Sequence, residues 1–126
     1  MATIVVIEDE EVLRQLMADE LEKRGHQVIT ATNGEEGWQA IRQQKPELIL
    51  LDLLMPVMSG YEVLRELRNQ PEFKETPCIV ISNSGQADDL NRAFAYGATD
   101  VLIKADFDAE QLVNKVESHL PGYGQT

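Results

Sequence analysis

The stretch ELILLDLLMP, residues 47–56, is an apolar run after its leading Glu47, interrupted by one carboxylate, Asp52. An isolated ionised carboxylate is very costly to bury unless it is paired, hydrogen-bonded or bound to a metal. Either Asp52 has company, or the chain surfaces there. LILL (48–51) lacks the alternation of a half-buried strand and reads as a strand covered on both faces. Four further runs share this character: IVVI (4–7), VITA (28–31), CIVI (78–81) and VLI (101–103).

Helical periods fill the gaps. In 10–24, Leu13, Leu16, Met17, Glu20 and Leu21 recur at three and four, giving a mostly apolar face, with Gly25 as the stop. The apolar marks are Trp38 and Ile41 in 34–44, and Tyr61, Val63, Leu64 and Leu67 in 60–69. They are Leu90, Ala93 and Phe94 in 86–96, and Leu112, Val113, Val116 and Leu120 in 108–120. Asn33 with Glu36, Ser59 with Glu62 and Asp108 with Gln111 each fit a cap residue followed three later by Glu or Gln; Pro56 strengthens the second cue. Strand and helix thus alternate five times, which implies an α/β fold with a parallel sheet and right-handed crossovers.

Composition narrows the function. With 126 residues, 43% hydrophobic and 26% charged, the chain suits one domain with a real core. No apolar stretch approaches a membrane span, and the start MATIVVIEDEE has no basic region of a secretory signal. A cytoplasmic protein without membrane insertion is expected. The single Cys78, inside CIVI, makes no internal disulfide and reads as a small core residue. A net charge of −11 is the opposite of a phosphate-backbone footprint, so direct nucleic-acid binding is not expected. It permits a cation site where acids converge.

Ligands of an open α/β sheet bind beyond the carboxyl ends of its strands. At those ends stand Glu8 and Asp9 after the first run, Asp52 after the third, Ser82 and Asn83 after the fourth, and Lys104 after the fifth. Each alone has a bland reading: acids favoured at a helix start, a turn cap, a solvated lysine. Together they make a coherent set. Carboxylates with few other protein donors suit Mg²⁺. A carboxylate is a competent nucleophile toward phosphorus, and phosphoryl transfer needs chiefly positioning and charge neutralisation.

The motifs IEDEE, LLDLLMP, ISNSG and GATDVLIK resemble the response-regulator receiver domain of two-component signalling, over about residues 3–120. The spacings of 30 residues from Asp52 to Ser82 and 22 from Ser82 to Lys104 match that family. The resemblance implies a doubly wound, flavodoxin-like sheet of five parallel strands in the order 2-1-3-4-5 with five helices. It implies Asp52 as the phosphoacceptor, with Mg²⁺ held by Glu8, Asp9, Asp52 and the backbone carbonyl of Leu54, Glu8 acting through water. Ser82 would be the switch hydroxyl, Lys104 the lysine that pairs with the phosphoryl group, and Met55, Pro56 and Gly60 the following loop. The phosphoryl donor would be a sensor histidine kinase or a histidine phosphotransfer protein, and output would go to an unidentified protein target.

Three positions depart from the family pattern. Val101 stands where an aromatic switch residue is frequent, Ala105 where proline follows the lysine, and Asn83 where a small residue is common. The Lys104–Ala105 bond is therefore expected to be trans. The expected layout is a receiver domain over 1–120 and a short flexible tail over 121–126, a stand-alone regulator or a receiver excised from a longer chain, rather than a turnover enzyme. Two other readings compete. An aspartate-nucleophile phosphatase on this fold would carry a second Asp two residues after the first, where Leu54 stands. A receiver-like interaction domain independent of phosphorylation fits Val101 and Ala105 but not the complete acid and lysine set.

Overall fold

Strict alternation governs the three central strands. The structure, a computed structural model that describes residues 2–55 and 57–121, has strands β1 (Thr3–Ile7), β2 (Gln27–Ala31), β3 (Leu48–Asp52), β4 (Cys78–Ser82) and β5 (Asp100–Ile103). The helices are α1 (Glu11–Lys23), α2 (Gly34–Gln44), α3 (Gly60–Asn69), α4 (Ala87–Ala95) and α5 (Ala109–Ser118). All pairings are parallel, in the order β2-β1-β3-β4-β5. Ile4, Val6, Leu48, Leu50, Ile79 and Ile81 pack with Met17, Leu21, Leu112 and Val116 of α1 and α5. The residues between them, such as Val5, Ile7, Ile49, Leu51 and Val80, pack with Ile41, Val63, Leu64 and Ala93 of α2, α3 and α4. Both faces are covered, which is why these runs are continuously apolar.

The edge strands correct that reading. In β2, Gln27 and Thr30 are exposed and only Ala31 is buried, and all four residues of β5 are half-buried. An edge strand has a neighbour on one side only, and the helices do not reach over its outer flank. Two helical marks are corrected too: Leu16 of α1 and Phe94 of α4 are exposed, beyond the buried stripes formed by Met17, Ala18 and Leu21, and by Ala93. Two short 3-10 turns, Pro71–Phe73 and Lys104–Asp106, add to the sequence reading; the first, opened by proline, seats Phe73 edge-on against Trp38, with ring centroids 6.0 Å apart.

The caps follow the sequence cues. Asn33, Ser59 and Asp108 side chains accept the N–H of Glu36, Glu62 and Gln111 respectively. Glu36 reaches one residue further back than a capping box, accepting from the Thr32 N–H and hydroxyl. Gly25 ends α1 at φ +90°, a conformation that favours glycine. The described peptide bonds are trans, Lys104–Ala105 included. Pro56 and the tail residues 122–126 lie outside the described residues. Among the described residues, no helix is long and apolar enough to cross a membrane. The carboxyl ends of β1, β3, β4 and β5 meet along one rim.

Candidate functional site

Asp52 closes β3 with 2% of its surface exposed. The Leu54 N–H donates to its Oδ1 at 3.3 Å, and the Lys104 ammonium lies 3.2 Å from its Oδ2. Glu8, just past β1, is fully buried; its Oε2 accepts from the Glu10 N–H at 3.0 Å and from Lys104 Nζ at 3.3 Å. Glu10 reaches the same ammonium at 3.7 Å. One carboxylate oxygen from each of Glu8, Asp9 and Asp52 lies within 4.8 Å of the others. The acidic run EDEE therefore divides: Glu8, Asp9 and Glu10 reach the rim, while Glu11 starts α1.

The charges here do not balance. Burial pushes the Glu8 carboxyl up to about 7 and also raises Asp52, with Glu8 and Lys104 pulling Asp52 the other way. Burial alone would lower Lys104, but the Asp52 and Glu8 charges outweigh it and raise it. Among the described residues, Glu8 Oε1 is buried with no hydrogen-bond partner. Such an atom is costly in the ionised state, and an all-oxygen donor set with one oxygen unpartnered fits a hard divalent cation.

A carboxylate raised in the fold contributes its full stability below its unfolded value, and loses it as pH rises through the folded value, here about 7 for Glu8. A cation that replaces those protons should therefore stabilise the fold more at high pH. Added Mg²⁺ is expected to raise the melting temperature clearly at about pH 8 and little at about pH 5, where a proton occupies Glu8. Equal shifts in thermal melts at both pH values would contradict this origin of the imbalance.

Ser82 sits at the rim, 7% exposed, but its hydroxyl is turned into its own loop. It donates to the Ser84 carbonyl at 3.0 Å and accepts the Ser84 N–H at 3.1 Å. A cavity of about 150 Å³ opens beside it, lined among others by Asp52, Leu54, Tyr61, Ser84 and Arg92. Leu54 presents its side chain to solvent, 66% exposed. Two contributors were missed from the sequence. Arg14, on the first turns of α1, donates to the carbonyls of Glu8 at 2.9 Å and Asp9 at 3.4 Å, fixing the acidic loop. Arg92 lines the cavity from α4. Neither belongs to a motif, and an arginine on an amphipathic helix ordinarily reads as solvated.

A family model described as the response regulator receiver domain matches residues 4–117. The chain belongs to that family. Protein PilH of Pseudomonas aeruginosa is 34% identical over 122 residues, 97% of this chain and all of PilH. The phosphate regulon transcriptional regulatory protein PhoB of Rhizobium meliloti is 35% identical over 117 residues, which are 93% of this chain but 51% of PhoB. The receiver therefore spans about half the length of that relative. Among solved structures, the chemotaxis response regulator CheY4 of Vibrio cholerae superposes with a TM-score of 0.90 at 29% identity, covering 95% of this chain and 99% of that one. The receiver is a phosphoryl-accepting module of two-component signalling, a family of regulators rather than of turnover enzymes, and its class implies a kinase or phosphotransfer partner.

Proposed function

We propose that Asp52 is the phosphoacceptor and that Lys104, Ser82 and the Glu8–Asp9 pair serve the transfer. The observation that carries this reading is the meeting of a nearly fully buried Asp52 with the Lys104 ammonium and two further carboxylates at one rim. An Asp52 oxygen attacks the phosphorus of a phosphohistidine on a kinase or phosphotransfer protein. The P–O bond forms, the P–N bond breaks, and the electron pair stays on the imidazole nitrogen, which takes up a proton. Lys104, already 3.2 Å from Asp52, pairs with the arriving phosphoryl oxygens. Ser82 exchanges its bond to the Ser84 carbonyl for one to the phosphoryl group.

Glu8, Asp9, Asp52 and the Leu54 carbonyl are the donors that would hold Mg²⁺, Glu8 through water, and its charge would neutralise the phosphoryl oxygens. Glu8 Oε1, buried without a partner among the described residues, supports that assignment. The chain thereby promotes its own phosphorylation and the later hydrolysis. Work as a cytoplasmic regulator that switches binding of a protein target completes the proposal. With a small acyl-phosphate donor, intact mass should show one added phosphoryl group in Mg²⁺ and none in excess chelator. Equal uptake in chelator would overturn the metal's role.

Lifetime follows from Leu54 and Ser84, which line the cavity where a hydrolytic water must stand. Neither is an acid or amide suited to orient it. An added orienting hydrogen bond of about 1–1.4 kcal/mol corresponds to a five- to tenfold rate. Leu54→Asn is therefore expected to lose its phosphoryl group about five- to tenfold faster, read by the decay of phosphoprotein after donor removal. An unchanged decay would show that water is positioned elsewhere.

A further inference from the structure

The cavity beside Asp52 has a cation in its lining that the transfer chemistry above does not use. Arg92 of α4 is the one cationic side chain among the described residues lining it. Its guanidinium carbon lies 4.1 Å from the centroid of the Tyr61 ring and 5.8 Å from that of Tyr96. Those rings pack edge to face, 4.9 Å apart at 61°. Among the described residues the Arg92 guanidinium makes no hydrogen bond and no ion pair, not even with Asp89, which lines the same cavity. An exposed guanidinium is thus parked on an aromatic face with its donors unused by the described residues.

The space between is suited to a phosphoryl group. The cavity's 150 Å³ is several times the roughly 30 Å³ a water occupies in the liquid. A phosphoryl group brings a charge of about −1.5 to −2, into a site where one ammonium already faces Glu8, Glu10 and Asp52. Even with Mg²⁺ bound, Glu8, Asp9, Glu10 and the phosphoryl group together outweigh the metal and the ammonium, so a further cation has a place here, and the planar fork of arginine matches phosphoryl oxygens bidentately.

We infer that Arg92 is a second phosphoryl ligand: when Asp52 is phosphorylated, its guanidinium leaves the Tyr61 ring, crosses the cavity and takes the phosphoryl oxygens. The inference rests on the reading of Asp52 as the phosphoacceptor. The movement uncovers the Tyr61–Tyr96 pair and so changes the surface between α3 and α4. It also supplies an output where Val101 cannot. Val101 is packed against the core beside β4, and a β-branched side chain is stiff at χ1. A phosphoryl group shifts a two-state element only by its differential contacts with the two states. Arg92 makes such a contact in one state and stacks on Tyr61 in the other. The segment 83–96 then carries the change while Val101 keeps its rotamer.

The test is a titration of the full chain in Mg²⁺ with beryllofluoride, a phosphoryl probe, followed by NMR of the Arg92 Nε–H, the Tyr61 and Tyr96 rings and the Val101 methyls. In the wild type the Arg92 and tyrosine signals should move and the Val101 methyls should stay. Arg92→Ala, an exposed site, should bind the probe about tenfold more weakly, the loss of a charge-assisted contact. Arg92→Lys should recover part of that, as a point charge without the fork. Tyr61→Leu should bind about two- to fivefold more tightly, since no ring competes for the guanidinium. Affinity for Mg²⁺ alone should be unchanged in Arg92→Ala. Equal probe affinity in Arg92→Ala and wild type, with static tyrosine signals, overturns the role of Arg92 and leaves Asp52 standing. A wild type that does not bind the probe overturns the Asp52 reading, and the Arg92 role with it.

Discussion

Asp52→Asn is expected to reduce phosphoryl acceptance by about a hundredfold or more while the chain stays folded and, without metal, becomes more stable. The amide has nearly the shape of the carboxylate, so its oxygen still accepts the Leu54 N–H now bonded at 3.3 Å. It is no nucleophile toward phosphorus at neutral pH, because its lone pair is delocalised and it carries no charge. Stability moves the other way. Four acids, Glu8, Asp9, Glu10 and Asp52, meet one ammonium at this rim, and Glu8 alone suffices to pair with Lys104 at 3.3 Å. Removing the Asp52 charge relieves the repulsion that helps raise Glu8, so the gain above pH 7 should be on the order of 1–2 kcal/mol. Intact mass after acyl-phosphate treatment reads the first effect, and melting in chelator the second. An Asp52→Asn protein that is phosphorylated like the wild type would remove Asp52 from its role. One that melts lower would mean that the carboxylate stabilises the metal-free fold.

Gly60→Ala is expected to cost about 3 kcal/mol or more and to slow phosphorylation of whatever remains folded. Gly60 opens α3, and its N–H donates to the Leu53 carbonyl at 2.9 Å. A Cβ there would overlap the Asp52 carbonyl oxygen and stand 2.6 Å from Leu53 Cα. These are backbone atoms of a buried strand end and cannot swing aside as a flexible side chain does. The helix must withdraw from β3, which displaces the loop that carries Leu54 and opens the packing of Val63 and Leu64 against the sheet. Chemical denaturation reads the stability, and the rate of acyl-phosphate labelling reads the site. A variant as stable as the wild type would show that the start of α3 is not held this tightly. Gly25→Ala, at φ +90° with nothing near its added Cβ, is the control for backbone strain alone.

Much of this architecture was written in local patterns, and the reasons for the exceptions are physical. The central strands were legible because both faces are covered, so Val5, Ile49 and Val80 are as apolar as their neighbours. Burial in the edge strand β2 was misjudged because VITA carries the same residue types without the second cover. Leu16 was misplaced because helical periodicity marks a stripe but not where its neighbours stop. Asp52 announced itself by contradiction, a charge in an apolar run, and Glu8 and Lys104 by lying at strand ends that the topology brings together. The direction of the Ser82 hydroxyl was not legible, since a two-residue turn to Ser84 decides it. Nor was the Arg92–Tyr61 stack, because the two residues lie on different helices and their approach depends on how α3 and α4 pack.

The most direct measurement locates the phosphoryl group itself. The protein, labelled by an acyl-phosphate donor in Mg²⁺, is reduced with borohydride, which converts an aspartyl phosphate to homoserine, and its peptides are sequenced by mass spectrometry. Homoserine at position 52, absent when Mg²⁺ is chelated, is the predicted result. A label at Glu8, Asp9 or Ser82 with residue 52 unmodified would contradict the assignment of Asp52 as the phosphoacceptor.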